Sequence, residues 1–83
     1  MHSIRFNCPV ILTRHAVKRM GERNITQDEL LAVIDTGGTR FKDATHLWAY
    51  KHLDGRSDNL ICAVLVPCCK GIKTKGIKTN RYG

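Results

Sequence analysis

Thr13-Arg-His-Ala-Val-Lys-Arg-Met-Gly-Glu-Arg-Asn-Ile-Thr-Gln-Asp-Glu-Leu-Leu-Ala-Val-Ile-Asp-Thr-Gly-Gly38 reads as two helices in tandem, and the fold class follows from that reading. Ala16, Val17 and Met20 recur at helical spacing behind Leu12, which predicts a helix over about Arg14 to Arg23 with Thr13 as its N-cap. Asn24 tolerates the left-handed conformation that closes a helix. Thr26-Gln-Asp-Glu29 has the side chains of a capping box, so a second helix starts almost at once. Leu30, Leu31, Val33 and Ile34 give that helix, about Gln27 to Asp35, its apolar face, and Thr36-Gly-Gly38 ends it.

Beyond Gly38 the period of the apolar residues changes from helical to alternating. Thr39 to Asp43 is a weak strand, and Thr45-His-Leu-Trp-Ala-Tyr-Lys-His-Leu53 a strong one. Asp54-Gly-Arg-Ser-Asp-Asn59 has the composition of a turn. Leu60-Ile-Cys-Ala-Val-Leu-Val66 is apolar on both faces, as a central strand would be, and Pro67 is expected to stop its hydrogen-bond ladder. Lys70-Gly-Ile-Lys-Thr74 is repeated at once as Lys75-Gly-Ile-Lys-Thr79. Two short copies are too few for a solenoid, and one of them is expected to pair with the sheet. The architecture expected is therefore α+β: an N-terminal helical hairpin packed on a small antiparallel sheet of three to four strands.

At 83 residues, residues 1–83 are expected to form a single domain with a small core and no deep cavity. An apolar fraction of 42% with 25% charged residues suits a folded chain. No apolar run has the length of a signal peptide or a membrane span, so a cytoplasmic protein without a membrane partner is expected. The net charge is +7, and the segment 70–83 holds five Lys or Arg and no acid. Such a basic segment attracts polyanions, of which nucleic acid is the commonest in the cytoplasm. Cys8, Cys62, Cys68 and Cys69 form no CxxC pair and are expected to be reduced thiols. No HExxH and no carboxylate cluster occurs, and the histidines are scattered, so neither a metal nor another cofactor is expected.

On the first helix His15, Arg19 and Glu22 share one border between core and solvent. A charged head can stay wet there while its stem packs, so the stripe serves structure as readily as chemistry. Arg19 can pair with Glu22, and Arg19 or Arg23 can anchor the second helix through Asp28 or Glu29. On the aromatic strand, alternation puts His46, Trp48, Tyr50 and His52 on one face. Open, that face offers rings for stacking bases. Covered by the helices, it supplies the core, and with so few aromatics in the chain Trp48 is expected inside.

His15-Ala16, Arg19-Met20, Glu22-Arg23 and Ile25, written HAxxRMxERxI, resemble the signature of the bacterial family catalogued as domain of unknown function 4258. Members usually have Gly where this chain has Asn24. The resemblance runs to about Val66 and fades beyond Pro67. The family is similar in layout to small toxins of the RelE, ParE and BrnT kind, and the resemblance thus implies a metal-independent endoribonuclease acting on RNA and neutralised by an acidic antitoxin. Such a reaction needs proton transfer and cations around the phosphate. His15 is then the candidate acid or base, with Arg19 and Arg23 holding phosphate oxygens. Lys73, Lys75, Lys78, Arg81 and Tyr50 are the candidate RNA-binding residues. Two other readings stay open: a non-catalytic nucleic-acid or protein binding module, and an inactive family member. Acidic Asp28 and Glu29 at the start of the second helix argue against a helix-turn-helix DNA reader.

Overall fold

The computed structural model describes residues 1–81, and in it two strands come before the helices: β1 (His2–Ser3) and β2 (Cys8–Leu12). Helices α1 (Arg14–Arg23) and α2 (Gln27–Thr36) follow, then β3 (Gly38–Phe41), β4 (Leu47–His52), β5 (Leu60–Cys68) and β6 (Gly71–Asn80). The strands form one sheet in the order β1-β2-β6-β5-β4-β3, in which β2 runs parallel to β6 and every other neighbour is antiparallel. Tyr82 and Gly83, the end of the expected 1–83 domain and of the basic segment 70–83, lie outside the described residues.

This corrects the expected architecture. The helices do not open the fold, and the sheet is six-stranded and mixed rather than a three- to four-stranded antiparallel one. Cys8-Pro-Val-Ile-Leu12 carries a proline and shows no alternation of apolar with polar residues, so nothing local announces it as a strand. It is held by a partner far along the chain, Val10 against Ile72 and Leu12 against Thr74. Pro67 does not stop β5 either, since it stands opposite Ile72 and the pairing runs on to Cys68 and Gly71.

Both copies of Lys-Gly-Ile-Lys-Thr belong to β6, where one was expected to pair. A repeat of five residues is odd, so strict alternation would turn Ile72 and Ile77 to opposite faces. The register shifts between Val64 and Leu65: Val64 pairs with Gly76 but Leu65 with Thr74, leaving Lys75 as an extra residue. This bulge restores the phase. Ile72 and Ile77 are both buried, and Lys73 and Lys78 both point the other way.

The helices have the expected caps. The Thr13 hydroxyl accepts from the Ala16 amide at 3.2 Å and donates to the Thr74 carbonyl at 2.9 Å, which ties the start of α1 to β6. Asn24 closes α1 at φ 53°. The capping box of α2 is complete, with Thr26 Oγ1 accepting from the Glu29 amide at 3.1 Å and Glu29 Oε1 from the Thr26 amide at 2.9 Å. Ala16 and Met20 of α1 and Leu30, Val33 and Ile34 of α2 pack with Val10, Ala49, Ile61, Ala63, Leu65, Ile72 and Ile77 in one core. Complete burial of Leu30, Ile34, Ile61 and Leu65 contributes about 1.5–3 kcal/mol each. Both helices thus lie on the same face of the sheet. Among the described residues no helix is long and apolar enough to cross a membrane.

Candidate nucleic-acid interface

Because Leu47, Ala49, Ile61, Ala63 and Leu65 face the helices, their neighbours Trp48, Tyr50, Cys62 and Val64 face the opposite side, which no helix covers. Trp48 is therefore not a core residue beneath the helices, contrary to expectation. Alternation groups the aromatics correctly but does not say which side the helices take. The register sets Arg40 beside Trp48 and Gly38 beside Tyr50. A Cβ on Gly38 would stand 2.6 Å from the Tyr50 ring, so the glycine leaves room for that ring to lie across β3.

Cations surround the indole. Lys42 Nζ lies 5.7 Å and Lys78 Nζ 5.3 Å from the Trp48 ring centroid, within the range of cation–π attraction. Arg40, Phe41, Lys42, Trp48 and Tyr50 line a hollow of about 460 Å³. The Trp48 Nε1–H is buried with no hydrogen-bond partner among the described residues. An unmet buried donor costs about 1–3 kcal/mol. Strands β3 to β6 contain no Asp or Glu at all, while Arg40, Lys51, Lys73, Lys75 and Lys78 lie within them. Cys62, on the same face, has its thiol pushed up by burial, with Lys78 opposing the shift.

At the rim, the Lys42 amide donates to the His46 carbonyl at 2.9 Å, extending the β3–β4 register by one pair. His46 thus stands across from Lys42, on the face of Trp48. Asp43 Oδ1 accepts from the Thr45 amide at 2.8 Å, the His46 amide at 2.9 Å and the His46 ring, whose Nδ1 is 2.9 Å away. The His46 side chain, then the Thr45 amide, hold the Asp43 carboxyl well below the usual carboxylate range. The signal for this arrangement lay in Asp43-Ala-Thr-His46, an acid followed by a hydroxyl and an imidazole at turn spacing.

The structure separates the residues expected to form one site. Lys73, Lys78 and Tyr50 are on the uncovered face, and Lys75 sits at the bulge, exposed. Arg81 is exposed beyond β6. His15, Arg19 and Arg23 are on α1, which packs against the other face, and so lie across the sheet from Lys73 and Lys78. His15 and Arg23 are exposed, and Arg19 Nη1 is 3.6 Å from Glu22 Oε1.

A second hollow, of about 400 Å³, is lined by Glu22, Arg23, Asn24, Arg56, Ser57 and Asp58, and its wall is held by Arg56. The Arg56 guanidinium donates to the carbonyls of Arg23 and Asn24 and to both carboxylate oxygens of Asp58. It also stands 3.9 Å from Glu29. Arg56, and neither Arg19 nor Arg23, therefore links the two helices, and sequence spacing could not reveal a partner on a distant turn. Hydrogen bonding to Asp58 raises the Arg56 pKa and lowers that of Asp58.

The four cysteines are free thiols, and among the described residues no three His, Cys, Asp or Glu side chains gather as a metal site would require. Comparison with curated proteins and with solved structures gave no match. The pattern of one family, Domain of unknown function (DUF4258), matches residues 12–78, from the end of β2 to Lys78 of β6 and so across both helices and the aromatic strand. The chain belongs to the DUF4258 family.

Proposed function

We propose that this chain binds single-stranded RNA on the uncovered face of its sheet. One arrangement carries the reading: Trp48 between the ammonium groups of Lys42 and Lys78, on strands without a carboxylate. Phosphates draw the two lysines off the ring, and the freed indole stacks a base, with Tyr50 the next platform along β4. Arg40 and Lys73 hold neighbouring phosphates. An acidic protein, such as an antitoxin, would compete for the same face.

The metal-independent endoribonuclease of toxin type is the finer form of this proposal, and binding without cleavage its alternative, with the chain a non-catalytic module or an inactive family member. A catalytic centre at His15, Arg19 and Arg23 gains no support from geometry, since the bound strand would lie across the sheet from it.

Fluorescence anisotropy with a labelled, short single-stranded RNA tests the reading. Trp48→Ala lowers affinity by about 5- to 150-fold, the equivalent of losing one stacked base. Replacing Lys42 and Lys78 together by Ala flattens the log–log salt dependence by about 1.4. Wild-type affinity in Trp48→Ala, or no binding by the wild type, overturns the proposal.

A further inference from the structure

We propose that His46 is the general base, and Asp43 its positioning carboxylate, for cleavage of RNA held on this face, an inference that rests on the binding reading above. A carboxylate oxygen only accepts, so the 2.9 Å contact makes His46 Nδ1 the donor and leaves the lone pair on Nε2. Nε2 has no protein partner among the described residues, and the imidazole is one-third exposed. Backbone pairing sets His46 across from Lys42, one of the residues that line the cationic hollow, and on the face of the sheet that carries Trp48. Capping the turn needs only Asp43 with the amides of Thr45 and His46; the contact to the ring goes beyond that need and orients a base.

In the step that follows, Nε2 takes the proton from a ribose 2′-hydroxyl while that oxygen attacks the adjacent phosphorus. The bond from phosphorus to the 5′-oxygen of the next nucleotide breaks, and the imidazolium returns the proton to this leaving oxygen. The products are a 2′,3′-cyclic phosphate and a 5′-hydroxyl, and the imidazole is regenerated. Lys42 and Arg40 balance the charge that grows on the phosphate.

The test uses the full chain, a labelled single-stranded RNA, and the same sequence with 2′-deoxy sugars as a ligand that cannot be cut. The wild type yields 2′,3′-cyclic phosphate ends. His46→Gln and His46→Asn slow this by about 10²- to 10⁴-fold and leave affinity for the 2′-deoxy strand unchanged. In His46→Asn the amide can still donate to Asp43, so the turn is preserved while the base is lost. Asp43→Asn slows cleavage less than the His46 variants do and leaves affinity for the 2′-deoxy strand unchanged, because the base remains but loses the carboxylate that orients it. The 2′-deoxy strand bound by the wild type without cleavage of the RNA overturns this inference alone. Cleavage undiminished in both His46 variants, or abolished by His15→Ala instead, does the same. Failure of the wild type to bind either strand overturns this inference and the binding reading together.

Discussion

Arg56 shows how one side chain can do the work that several were expected to share. Its guanidinium meets the carbonyls at the C-terminal end of α1, where the helix dipole is negative, and is oriented there by Asp58. The side chain is only 15% exposed, and these are charge-assisted hydrogen bonds, those to Asp58 partly shielded from water. Arg56→Ala is expected to destabilise the fold by about 1.5–3 kcal/mol, the range for a hydrogen bond to a charged group. Arg56→Lys should recover part of that, since an ammonium cannot reproduce the fork that spans Asp58 and the backbone. Thermal unfolding of the two variants against the wild type measures both effects, and full recovery of stability in Arg56→Lys would deny the fork its role.

At the scale of elements, the two glycines of the repeated Lys-Gly-Ile-Lys-Thr separate identical sequence from identical environment. Gly71 begins β6 at φ 143°, and a Cβ there would lie 2.2 Å from the Pro9 carbonyl oxygen; a Cβ on Gly76 would meet nothing within 4 Å among the described residues. Gly71→Ala is expected to cost about 1–3 kcal/mol through strained backbone and displacement of β2. Gly76→Ala should be neutral or stabilise by up to about 1 kcal/mol. Urea midpoints of the two variants give the comparison directly. The helices were legible because their signals are local: Thr13, Asn24 and Thr26 with Glu29 act within four residues of themselves. Strand β2 was not, because its register with β6 comes from residues such as Ile72 and Thr74 at the far end of the chain. The face shared by Trp48 and Tyr50 was legible by alternation, while its exposure depended on where α1 and α2 come to rest. The Asp43–His46 pair was present in the sequence as turn chemistry, but without the hollow beside it the pair had no chemical meaning.

For the molecule as a whole, the segment before α1 is held by charge as well as by strands. The Ser3 hydroxyl and the Ile4 and Arg5 amides donate to the Asp35 carboxylate, and Arg5 Nη1 donates to the carbonyls of Ile34 at 3.2 Å and Gly37 at 2.7 Å. Desolvation, the largest single influence on Asp35, pushes its carboxyl up, but the Ser3 hydroxyl and the two amides together outweigh it and leave the pKa lowered. Asp43 and Asp58 are lowered as well. A carboxyl with a depressed folded-state pKa adds stability above its unfolded value, about 3.9, and loses it as pH falls through the folded value. Stability is thus expected to be flat from neutral pH to about 5 and to fall steadily below about 4. Asp35→Asn should lower the plateau and shallow the acid slope. Urea unfolding across that pH range provides the check, and an acid slope unchanged in the variant would remove Asp35 from the account.

The parallel pairing of β2 with β6 also imposes an order of events on a growing polypeptide. Val10 stands opposite Ile72 in the finished sheet, so a nascent chain carries Val10, Ile11 and Leu12 without their β6 partners until residues 72–74, some sixty positions later, have been synthesised. Closing so long a loop is slow relative to forming α1 and α2, whose contacts are local. Until β6 leaves the ribosome, the aliphatic edge of β2 is a surface that chaperones can hold and that neighbouring chains can capture.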